Sequence, residues 1–132
     1  MKTLLDLAIG ESLTQPEWLT VTQDMINQFA ELTGDNQWIH VDTDKAKISP
    51  FGTTIAHGFL VLSFAPKLVA EMIELKGIRL GLNYGFEKVR FVSPIPVNSE
   101  VRMSATLTAV ERDEVKVKAT MQLVFEINKV YR

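Results

Sequence analysis

Hydrophobic periodicity changes at Gly77, and no other feature of the chain limits its fold as much. From Ile55 to Leu75 the apolar residues, among them Phe59, Leu60, Val61, Phe64, Leu68 and Met72, cover almost the whole circumference of a helix. That pattern belongs to a helix buried on all sides. Pro66 inside it predicts a kink, or a start later than Gly58, because proline removes a hydrogen bond and crowds the preceding turn. Beyond Gly77 the period is two: Leu80, Leu82, Tyr84 and Phe86 alternate with small or polar residues. The phase slips near Glu87-Lys88, as at a bulge, and Val89 and Phe91 resume it. Ser93-Pro94-Ile95-Pro96 ends that run. Val101 to Ala109 then alternate, a turn is expected at Arg112-Asp113, and Val115 to Ile127 alternate again. These read as long antiparallel strands with one buried face. The expected fold class is α+β, with one long buried helix against a curved antiparallel sheet of about five strands.

The first half adds smaller elements. Residues 1 to 16 read as a lead-in ending at Pro16, and Glu17 to Val21 as a short strand. Thr20-Val21-Thr22-Gln23 fits a capping box. Met25, Ile26, Phe29, Ala30 and Leu32 follow at helical spacing, and Gly34 is a natural stop. His40 to Lys47 reads as a loop with one helical turn, and Ser49-Pro50-Phe51-Gly52 as a turn.

With 132 residues, 46% of them hydrophobic, the chain is expected to form one domain, 1–132, with a sizeable core. The net charge is -2 and the basic residues are scattered, so no nucleic-acid footprint is present. The absence of cysteine excludes a disulfide scaffold, a thiolate nucleophile and a Cys-ligated zinc. Asp6 interrupts the apolar start, which argues against a signal peptide, and no apolar run approaches the roughly 20 residues of a bilayer span. A cytoplasmic protein is expected.

Two stretches read as chemistry. One is Thr33-Gly34-Asp35-Asn36-Gln37-Trp38-Ile39-His40-Val41-Asp42, the other Ala56-His57-Gly58-Phe59-Leu60. A carboxylate at Asp35 and an imidazole at His40, on one loop fixed by packed structure, can converge on a single water, take its proton and return a proton to carbon. The same spacing also suits an aspartate that caps a turn and a histidine hydrogen-bonded in the core. If a helix starts at Gly58, its first N–H groups have no intrahelical partner and can stabilise a carbonyl oxygen that gains charge. Glycine there equally suits close packing of helix on sheet. His57 could touch a ligand or serve as a satisfied structural group, and ranks below His40. His40, His57, Asp42 and Asp44 match no trusted metal spacing, so no metal is expected. No Ser sits in a Gly-x-Ser-x-Gly elbow.

The run Phe29 to His40, with Thr33-Gly34-Asp35 and His40, resembles the signature of the MaoC-like dehydratases, the (R)-specific enoyl-CoA hydratases. Ile55-Ala56-His57-Gly58-Phe59-Leu60 resembles that family's second block, which opens the central helix, and the order of elements resembles the hot-dog fold. The resemblance runs from about residue 17 onward. It implies that Asp35 and His40 are the catalytic pair and that the Gly58 N–H binds the thioester carbonyl oxygen. The reaction implied is reversible syn hydration of a trans-2-enoyl thioester to an (R)-3-hydroxyacyl thioester. CoA or acyl carrier protein would enter as part of the substrate, with no separate cofactor. The family's Asn-Pro is Gln37-Trp38 here, as in the branch of the nodulation protein N relatives. Gln37 can support the loop as Asn does. Pro66 falls near the place of a serine found in some hydratases, and Ser63 is the closest hydroxyl. The resemblance also implies a homodimer with joined sheets. The alternatives on the same fold are an acyl-thioester hydrolase and a non-catalytic acyl-CoA binder.

Overall fold

A computed structural model describes residues 1–129. The elements in chain order are β1 (Lys2–Thr3), a 3-10 turn (Leu4–Asp6), β2 (Ser12–Thr14), β3 (Leu19–Thr20), α1 (Gln23–Thr33), α2 (Trp38–Val41) and α3 (Thr43–Lys47). They continue with α4 (Gly58–Ser63), α5 (Ala65–Met72), β4 (Ile73–Glu74), β5 (Glu100–Arg112) and β6 (Val117–Asn128). Helix and antiparallel sheet are both present, as the change of period at Gly77 predicts. The chain divides into two compact units.

One unit comprises Met1–Glu17, Ala65–Glu87 and Arg102–Glu126. Here β2 lies antiparallel to β5, with Leu13 opposite Ala105, and β6 pairs with β5. The expected alternation holds on β5 as far as Leu107, with Met103, Ala105 and Leu107 buried, and ends before Ala109, which is exposed. The reversal into β6 lies slightly later than expected, closed by the Asp113 N–H on the Lys116 carbonyl (3.0 Å), so Val115 sits in the turn and not in a strand. The expected lead-in contains two strands, β1 and β2; β1 pairs parallel with β4. Two or three residues with at most one apolar side chain are too few to show a period.

The other unit comprises Trp18–Phe64, Lys88–Val101 and Ile127–Arg132, the last taken only through its described residues. In it β3 pairs antiparallel with the start of β5, Leu19 opposite Val101. The cap of α1 is Thr22, whose hydroxyl accepts from the Met25 N–H at 3.2 Å, two residues beyond the start of the expected capping box. Gly34 ends α1 in the left-handed conformation (φ 81°), and its N–H reaches the Ala30 carbonyl at 2.9 Å. The expected loop after it is more helical than its sequence suggests, with Trp38–Val41 and Thr43–Lys47 both helical.

The apolar helix begins at Gly58 and is interrupted at Phe64. Pro66 has no N–H for the Leu62 carbonyl; Phe64 closes the first segment with its N–H on Val61 (3.1 Å), and α5 restarts with proline in its first turn, where no donor is missed. The helix is therefore not one long rod. Nor is it buried all round: Leu60, Val61, Leu68 and Met72 are buried, whereas Phe59 is 65% exposed.

One expected strand is missing. Residues 79–92 carry no strand, and Leu80, Leu82, Tyr84 and Phe86 are 69% to 83% exposed. Their alternation is that of a sheet face, but a strand exists only when its N–H and C=O groups meet a neighbour.

Candidate active site

The site lies within the second unit and is built at the junction of α1, α2 and α4. Gly34 turns the chain out of α1 and sets Asp35 at the surface of the unit. The next residues stay short of helix until Gln37, the N-cap of α2, whose carbonyl accepts from the His40 N–H at 3.0 Å. His40 is thereby turned inward and is 7% exposed. Its Nδ1 lies 2.7 Å from the Ile55 carbonyl. A carbonyl can only accept, so Nδ1 carries the proton and Nε2 the lone pair.

His57 comes from a separate element, as the N-cap of α4. Its Nε2–H donates to the backbone carbonyl of Asp35 at 3.0 Å. Its ring stacks on that of His40, with centroids 3.8 Å apart and planes 23° from parallel, and the Phe29 ring lies 4.9 Å away. One ligating atom each from Asp35, His40 and His57 falls within 4.8 Å of the others. So the fold unites Asp35, His40 and His57, and it does not bring Asp42 or Asp44 to the cluster. Asp42 instead caps α3, accepting from the Lys45 N–H at 3.0 Å. Three such residues could be read as a metal site. The stack argues against it, since imidazole lone pairs lie in the ring plane and two nearly parallel planes do not aim theirs at one point.

Gly58 is the first residue of α4, where no preceding turn offers its N–H a carbonyl. The Phe91 ring covers its α-carbon so closely that a Cβ there would lie 2.6 Å from the ring. Glycine thus lets the Phe91 ring pack close, and the same position leaves a helix-start N–H beside the cluster's own His57. Gln37 is exposed and makes no side-chain cap, so it serves α2 through its backbone. The Ser63 hydroxyl donates to the Leu60 carbonyl at 2.6 Å, inside its own helix.

Gln23 was not legible as a site residue. Its Nε2 donates to the His40 carbonyl (2.8 Å) and its Oε1 accepts from the Thr54 hydroxyl (2.5 Å), so one side chain ties α1 to both segments that carry the imidazoles. A polar residue in the first turn of a helix gives no signal of such a bridge.

The fold is that of the hot-dog hydratases. A solved (R)-hydratase from A. caviae superposes with a TM-score of 0.68 and 25% identity, covering 91% of this chain and 86% of that one. The family model described as MaoC like domain matches residues 6–127, and the chain belongs to that family. It is 51% identical over 107 residues to 3-hydroxyacyl-thioester dehydratase Z of Mycobacterium tuberculosis (strain ATCC 25618 / H37Rv), covering 81% of this chain and 71% of that protein. It is 47% identical over 96 residues to nodulation protein N of Rhizobium leguminosarum bv. viciae, covering 71% of this chain and 60% of that protein.

Proposed function

We propose that the protein is an (R)-specific enoyl-thioester hydratase, equally a 3-hydroxyacyl-thioester dehydratase, acting on a CoA or acyl-carrier-protein thioester. One observation carries the reading: the Asp35 carboxylate and the His40 imidazole stand together, with the His40 proton fixed on Nδ1 by the Ile55 carbonyl. A water held between the carboxylate and the free Nε2 adds its oxygen to C3 of the enoyl chain. Its proton passes to the pair, and the pair returns a proton to C2 on the same face. Two groups that share one water on one face of the substrate give this syn course, and general acid–base catalysis of this kind is worth about 10²–10⁴-fold. The negative charge that develops on the thioester oxygen is stabilised by the Gly58 N–H. The chemistry requires neither metal nor separate cofactor.

The family match over residues 6–127 supports a single domain. No helix among the described residues is long and apolar enough to cross a membrane, and a cytoplasmic enzyme without nucleic-acid partners suits the reaction. The exposed apolar alternation at Leu80, Leu82, Tyr84 and Phe86 favours a homodimer.

The test is crotonyl-CoA, followed by loss of its conjugated enoyl-thioester absorbance with thiol release measured in parallel. Loss without thiol is expected, and both Asp35→Asn and His40→Ala should abolish it while leaving the circular dichroism spectrum unchanged. Release of thiol would replace the hydratase by a thioester hydrolase. Tight acyl-CoA binding with no turnover across acyl chains and both carriers would make the protein a binder.

A further inference from the structure

We infer that His57 is a positioning residue for the Asp35–His40 pair, acting as a clamp that holds the two halves of the pair in register. The inference rests on the hydratase reading and adds a third member to its machinery. His57 is 2% exposed, so its ring is fixed by packing and not by solvent. Among the described residues its ring makes one hydrogen bond, from Nε2–H to the Asp35 carbonyl, at 3.0 Å. Its Nδ1 is buried and meets no partner among the described residues. The single bond therefore sets both the tautomer and the orientation of the ring. One edge of the imidazole grips the backbone that bears the carboxylate, and one face supports the His40 ring at 3.8 Å. Phe29 lies against it at 4.9 Å and limits its movement.

Asp35 needs such a hold. It follows a left-handed glycine, lies exposed, and its own N–H has only a long contact with the Thr33 hydroxyl at 3.4 Å. The loop from Gly34 to Gln37 has no strand or helix to fix it. His40, by contrast, is held by Ile55 and Gln23 from its own side. Without His57 the carboxylate would lose its link to the imidazole, and displacements near 1 Å in a reacting constellation cost on the order of 10²-fold.

Three variants separate the two contacts. His57→Phe keeps a ring to stack on His40 and removes the donor. His57→Gln places an amide N–H near the position of Nε2 and removes the ring. His57→Ala removes both. With crotonyl-CoA, His57→Phe is expected to lower kcat about 10–100-fold with KM nearly constant, and His57→Gln to recover part of the loss. The second readout needs no turnover: long-range ¹H–¹⁵N correlation of the histidine rings in the wild-type protein should report His57 as the Nε2–H tautomer and His40 as the Nδ1–H tautomer. In His57→Phe the Asp35 amide resonance should shift or broaden while the His40 tautomer persists. Wild-type kcat in a folded His57→Phe, or an Nδ1–H tautomer at His57, would overturn the inference. Absence of wild-type turnover across acyl chains and both carriers, with the expected tautomers, would instead overturn the hydratase reading and leave the clamp in place.

Discussion

At the scale of single residues, glycine is used twice for different reasons. Gly34 occupies a left-handed turn that a side chain would strain, and its place was legible because it follows an apolar helical stripe. Gly58 has ordinary backbone angles, and what it avoids is the Phe91 ring. That contact joins residues far apart in sequence, so only the fold reveals it. Gly58→Ala should cost about 1 kcal/mol, the low end for overpacking, because Phe91 is 55% exposed and its ring can swing outward. In a Phe91→Ala background most of that cost should vanish. Urea unfolding of the two single variants and the double variant measures it, and an undiminished cost in the double variant would point to the backbone of Gly58 itself. Type and spacing left Asp35 and His40 open between chemistry and a plain structural role, and only the resemblance made them a pair; the fold does bring their side chains together. The stacking of His57 on His40 was not legible, since nothing in sequence says which face of a histidine is covered.

At the scale of elements, the period-two run expected over Val101 to Ala109 is legible as far as Leu107, where its buried face meets the core, and fails at Ala109, which is exposed. Proline chemistry left either a kink or a start later than Gly58, and the structure has the first, with the break at Phe64, two residues before Pro66. What sequence could not supply was the connection that steadies α5. Gln15 is 3% exposed; its Nε2–H donates to Glu71 on α5 at 2.6 Å, and its backbone N–H donates to the Met103 carbonyl on β5 at 2.8 Å. Glu71 also pairs with Lys67. The hydrogen bond from Lys67, and then that from Gln15, hold the Glu71 carboxyl below its ordinary value of 4.5. A carboxyl depressed in the folded state stabilises above the unfolded value and stops doing so as pH falls through the folded one. Glu71→Ala should therefore lower Tm at neutral pH, and the gap from wild type should close as the pH drops from about 5 toward 3. Thermal melts at intervals across that range test the sign, and a gap that widens in acid would contradict it. The pair is solvent-exposed, so the effect is modest and should shrink in high salt.

At the scale of the whole molecule, the unpaired alternation at residues 79–92 is the feature the single chain leaves unexplained. The sequence was right that these residues carry the pattern of a strand, and a single chain offers them no ladder. Leu80, Leu82, Tyr84 and Phe86 leave large side chains in water, and the backbone beside them keeps its donors and acceptors open. A second copy, laid along the same segment, would satisfy both. Four such side chains from each copy, at roughly 1.5–3 kcal/mol apiece, are comparable with or larger than an association cost of about 4–15 kcal/mol. Light scattering after gel filtration should then give about twice the 14.9 kDa of the chain. Asn83→Pro is the sharper test. Residue 83 belongs to no strand in the single chain, so proline should leave the fold of each copy intact. Proline cannot donate to a ladder, so it should weaken pairing between copies and shift the mass toward one chain. Phe91, at the end of the same segment, covers Gly58. If pairing is what orders that segment, Asn83→Pro should lose hydratase activity together with the dimer, and activity should return with rising protein concentration. A monomeric variant of full activity would separate the catalytic unit from the assembly and leave the exposed alternation to some other partner.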